Sequence, residues 1–124
     1  MVNPDFRDLF AALNEAEARY LVVGAHAVAF YAEPRFTKDL DVWVEASAVN
    51  APRAVLQIGV APNRIDITTH IDGVAFAEAW PNRLVTTFGD QSIGIIGRAE
   101  LIKNKTAVAR PQDLLDLSIL EKHG

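Results

Sequence analysis

The sequence predicts an α+β fold, a mixed β-sheet with helices packed mainly on one face. Strand-like and helix-like segments follow one another without the strict alternation that a doubly wound parallel sheet requires. Half of the 124 residues are hydrophobic and no repeat, low-complexity tract or linker interrupts them, so a single domain with a real core is expected. The turn signal Gly89-Asp90 between two short strand-like runs adds a hairpin.

Taken in order, Asn3 as N-cap and Pro4 at the first helical position open a helix. Phe6, Leu9, Phe10 and Leu13 fall at i, i+3, i+4 and i+7, which makes that helix amphipathic as far as about Arg19. Leu21 to Val23 is a buried strand. Gly24-Ala25 then turns the chain into a helix of small residues, Ala25 to Tyr31, suited to close packing on the sheet and ended by Pro34. Asp39 to Glu45 is a second strand. Two or three helical turns are expected around Ala51 to Leu56, followed by Gln57-Ile58-Gly59-Val60 and a Pro-Asn turn. Asn63 to Thr69 is a strand with Ile65 and Ile67 facing one way and Arg64, Asp66 and Thr68 the other. His70 to Gly73 makes a turn, and Val74 to Trp80 a short helix with Phe76 and Trp80 at i, i+4. Strands Arg83 to Phe88 and Gln91 to Ile96 precede a helix from Arg98 to Ala109. After Arg110-Pro111 a last helix runs to about Lys122, with Leu114, Leu117 and Leu120 inward.

Composition removes several classes. Without cysteine there is neither a disulfide framework nor a thiolate metal site. No stretch approaches the roughly 18 apolar residues of a membrane span, and MVNPDFRDLF has no basic region followed by an apolar run. A soluble, cytoplasmic protein without a membrane partner is expected. The net charge of −4 exerts no general pull on nucleic acid, so any such contact needs a local basic patch.

Side chains alternate along a strand, so Asp39 and Asp41 project together, roughly 7 Å apart, and can share divalent cations. Leu40, Val42 and Val44 point the other way. Asp66 is a third acid on the polar face of another strand. Trp43 shares the face of the aspartates and is read as a half-buried core aromatic in preference to a base-stacking surface. His26, at an apolar helix start, is read as structural.

Gly24-Ala25-His26, then Arg35, Thr37 and Asp39-Leu40-Asp41, then Asp66, resemble in order and spacing the nucleotidyltransferase superfamily with the polymerase-beta-like palm. The tail LIKNKTAVARPQDLLDLSIL is similar to the basic-acidic segment of proteins related to toxins of type IV abortive-infection systems. The resemblance covers nearly the whole chain. It implies a palm-type sheet and an Mg²⁺-dependent transfer of a nucleoside monophosphate from a nucleoside triphosphate to an RNA, protein or small-molecule acceptor. Two Mg²⁺ ions suit three carboxylates, because Mg²⁺ prefers oxygen ligands. Asp39 and Asp41 are the expected shared ligands. Asp66 is expected to hold the catalytic metal or to draw the proton from the acceptor hydroxyl.

By the same resemblance Gly24 and Ala25 form the phosphate turn, with Ala25 standing where the family usually has Gly or Ser. Arg35, Lys38 and Lys105 are expected to contact phosphates and Thr37 to brace the loop. Arg110 and Asp113 are accessory residues, Asp113 as a base. The segment between Asp41 and Asp66 is shorter than in that family, and no separate acceptor domain follows, so a second copy or a partner protein is expected to help present the acceptor. The competing expectation is a catalytically inactive module of the same fold that acts as a partner-binding or antitoxin-like protein.

Overall fold

The computed structural model describes residues 4–32, 39–46 and 65–123. Among them are five helices, one 3-10 turn and a five-stranded mixed sheet, so the chain is α+β. The expected Asn3 cap, Pro34, the loop residues Arg35, Thr37 and Lys38, and the elements expected between 51 and 60 lie outside the described residues. No helix among the described residues is long and apolar enough to cross a membrane.

The first helix, α1 (Pro4–Glu15), buries the four predicted residues Phe6, Leu9, Phe10 and Leu13. Each such side chain stabilises the fold by about 1.5–3 kcal/mol relative to exposure. The helix stops short of Arg19 because Glu17 adopts a left-handed φ of 57°. The Ala18 N–H then reaches back to Leu13 O and the Glu17 N–H to Asn14 O, the hydrogen-bond pair of a Schellman end. Glycine usually marks such an end, and its absence here hides the stop.

β1 (Tyr20–Val23) is buried at all four residues and lies at the centre of the sheet. α2 (Gly24–Tyr31) follows without a linker, then β2 (Leu40–Val44) and β3 (Ile65–Thr68). α3 (Phe76–Ala79) runs into the 3-10 turn Trp80–Asn82. β4 (Leu84–Phe88) and β5 (Gln91–Ile95) form the predicted hairpin, in which Gly89 carries a positive φ of 61° between the paired residues Phe88 and Gln91. α4 (Arg98–Val108) and α5 (Pro111–Lys122) close the chain.

The strand order is β3-β2-β1-β5-β4. β1 pairs antiparallel with β2 and parallel with β5, and β2 pairs parallel with β3. On one face Phe10 of α1 stacks on Tyr20 and meets Phe88 edge-on, while Phe6 touches His26 of α2. Strand alternation puts Leu21 and its partner Trp43 on the opposite face, where Phe76 packs edge-on against Trp43 at 5.0 Å between ring centroids. α1, in contact with α2, therefore lies on the first face and the short α3 on the second. Trp43 is fully buried, so it belongs to the core.

α5 turns a different face inward from the one the leucine spacing suggests. Leu120 is buried, but Leu114 is 55 % exposed, and the buried positions preceding Leu120 are Asp113 and Asp116. Their charge partner lies on α4.

Candidate functional site

The register of three strands builds the acidic site. Val23 at the end of β1 lies opposite Asp41, and Asp41 lies beside Asp66 in the parallel β2–β3 pair. Side-by-side residues in a parallel pair share a face, so the Asp41 and Asp66 carboxyls meet, and Asp39 flanks them two residues earlier. Burial pushes the Asp41 carboxyl up, the Asp66 and Asp39 charges push it further and a hydrogen bond with Asp66 adds to this, while Lys105 pulls it down. The result is a carboxyl pushed up to about 6. Burial likewise lowers His26, against the pull of Asp39.

Gly24 makes this approach possible. Its φ of 68° is left-handed, and a Cβ there would strike Asp41 Oδ2 and lie 3.0 Å from Asp41 Cγ. The backbone that opens α2 and the Asp41 carboxylate consequently sit against each other. Val23, Gly24, Ala25, Asp39 and Asp41 form one wall of a cleft of about 750 Å³.

The facing wall comes from the C-terminal helices. Lys105, 6 % exposed, places Nζ 3.1 Å from Asp113 Oδ1 and 3.1 Å from Asp116 Oδ2, and both aspartates are 1 % exposed. Ala109, left-handed at φ 54°, ends α4 and lets Arg110-Pro111 start α5 beside it. The Arg110 backbone N–H and Nε both donate to Asp113 Oδ2, at 3.1 and 2.8 Å. Gln112 Nε2 donates to Asp116 Oδ1 at 3.0 Å. Burial alone pushes the Asp113 carboxyl up, but hydrogen bonds from Arg110 and Lys105 outweigh it and hold it at about 2. Asp113 and Lys105 are thus a buried pair.

A third wall was not legible as such. Thr68, His70 and Asp72 line the cleft, with the Thr68 hydroxyl bonded to the backbone of His70 and Asn104 Nδ2 donating to Asp72 O at 2.8 Å. Thr68 follows Asp66 by two, so strand alternation placed it on the acidic face. His70 and Asp72 are brought there by a turn, and Asp116 by the helix pair; no local pattern announces them.

No family model matches the chain, and no curated protein matches it.

The sequence-predicted residues thus divide. Gly24, Ala25, Asp39, Asp41, Lys105, Arg110 and Asp113 line one cleft. Asp66 adjoins it through Asp41. Arg35, Thr37 and Lys38 fall outside the described residues. Carboxylate oxygens are the donor type that hard divalent cations take, and Asp41 and Asp66 bring two such groups together. Among the described residues no group of three or more His, Cys, Asp or Glu side chains is arranged to hold a metal ion; Asp41 and Asp66 meet, with Asp39 alongside.

Proposed function

We propose that the chain is a minimal Mg²⁺-dependent nucleotidyltransferase of the polymerase-beta-like palm type, related to abortive-infection toxin nucleotidyltransferases. The observation that carries this reading is the Val23–Asp41–Asp66 register, which sets the Asp41 carboxyl, in contact with that of Asp66, beside the N-terminus of α2 at the wall of one cleft. A cleft of about 750 Å³ accommodates a nucleoside triphosphate.

Asp41, Asp66 and Asp39 would hold Mg²⁺, which when bound supplies positive charge to phosphoryl oxygens. Gly24 leaves room for phosphate at the backbone, and N–H groups of Gly24 and Ala25 at the start of an eight-residue helix favour an anion. Ala25 lacks the hydroxyl of a serine but keeps its backbone donor. Asp66, exposed beside Asp41, is the better placed carboxylate to take a proton from an acceptor hydroxyl. Lys105 brings a positive charge to the same wall.

One observation favours the second reading, a catalytically inactive module that binds a partner in an antitoxin-like role. Asp113, the base implied by the resemblance, is buried and held at about 2, which makes it a weak proton acceptor.

Calorimetric titration of Mg²⁺ with each of the four ribonucleoside triphosphates separates the readings. The wild type is expected to bind a triphosphate only with Mg²⁺, and the folded Asp39→Asn, Asp41→Asn protein to bind none. Absence of binding by the wild type would transfer the assignment to the partner-binding module.

A further inference from the structure

The four charges on the helical wall, Lys105 and Arg110 against Asp113 and Asp116, cancel formally, yet they are not equivalent in position. Arg110 is 71 % exposed in its side chain, whereas Lys105, Asp113 and Asp116 are buried at the cleft wall. An ammonium has three N–H donors. Nζ of Lys105 donates to Asp113 Oδ1 and is ion-paired with Asp116 Oδ2 at 3.1 Å, so the two carboxylates take up at most two of its three donors. Lys105 is also a cleft residue, and its charge is felt at Asp41 on the opposite wall. An unbraced lysine has four rotatable bonds and samples many positions; one held between two buried carboxylates has one.

We propose that Asp116 is a positioning residue, which with Asp113 clamps the Lys105 ammonium so that its third N–H is presented to an anionic oxygen of a nucleotide in the cleft. Gln112, fixed on the other oxygen of Asp116, sets the orientation of that carboxylate. The inference rests on the nucleotidyltransferase reading and adds a residue that reading does not use. It also makes a prediction against simple electrostatics. Neutralising Asp116 makes the wall more positive, so charge alone would tighten binding of a triphosphate; losing the clamp loosens it.

The test compares Mg²⁺-dependent triphosphate affinity, by calorimetry, in the wild type, Asp116→Asn and Gln112→Leu, with amide spectra to establish that each is folded. Asp116→Asn is expected to bind on the order of tenfold more weakly, the size of effect that follows loss of a group orienting a ligand-binding side chain. Gln112→Leu, at an exposed position and without change of charge, is expected to show a smaller loss in the same direction, and it decides the matter if Asp116→Asn does not fold. Affinity unchanged or increased in a folded Asp116→Asn protein, or unchanged in Gln112→Leu when it stands alone, overturns the clamp and leaves the nucleotide reading standing. Failure of the wild type to bind any triphosphate overturns both.

Discussion

The two walls of the cleft handle buried charge in opposite ways. On the sheet side, Asp39, Asp41 and Asp66 bring like charges together, with Lys105 the counterweight, and Asp41, pushed first by burial and then by those charges, holds its proton up to about 6. On the helix side, Lys105 and Arg110 meet Asp113 and Asp116, and Asp113 stays ionised down to about 2. Of the two walls, the helix wall is the one whose charges are paired among the described residues. The contrast bears on the proposed function: under that reading a cation would bind at the wall where like charges meet, whereas the wall whose charges are already paired contributes position and stability.

Removing the central cation should break the balanced wall most severely. Lys105→Met leaves Asp113 and Asp116 buried without their shared partner, and about 3–5 kcal/mol of stability is expected to go, read as a lowered midpoint in urea denaturation. Next comes the contact within the sheet wall between the backbone that opens α2 and Asp41. Gly24→Ala forces a Cβ against the Asp41 carboxylate in a left-handed conformation, for an expected loss of roughly 1–3 kcal/mol by the same measurement and a weakened response to Mg²⁺. The smallest effect has the opposite sign. Asp41→Asn relieves repulsion and should raise stability without metal at pH 7 by about 1 kcal/mol, a figure reduced for the partial exposure of the group.

The pH dependence sharpens the same comparison. Asp41 binds its proton more tightly folded than unfolded, so metal-free stability from this group falls as pH rises from about 4 to about 6. Asp113 is shifted the other way, and the stability it contributes is present above about 4 and lost as pH falls toward 2. Denaturation midpoints measured across pH 2 to 7 should therefore rise and then decline, and Asp41→Asn should flatten the decline alone.

Much of the sheet wall was legible because a strand repeats every two residues. That period alone places Asp39 with Asp41 and Asp66 with Thr68, although only the parallel register brings Asp41 to Asp66. The helix wall was harder. Leucine spacing in α5 pointed Leu114 inward, but Lys105, on another helix, supplied the charge that draws Asp113 and Asp116 in and leaves Leu114 outside. The end of α1 is hidden in the sequence for a local reason: a glutamate, not a glycine, takes the left-handed position. The cleft residues His70 and Asp72 depend on a turn whose place over the acids is fixed only by the folded chain.

The order of strands in the sheet has a consequence for the chain as it is being made. β1 can pair with β2 once residue 44 has left the ribosome, but its other edge is closed by β5, which begins only at Gln91. During that interval an apolar strand, YLVV, waits with one side of its hydrogen-bonding groups bare, the condition under which nascent chains associate wrongly. Synthesis of the last third of the chain is therefore also the step that protects its centre.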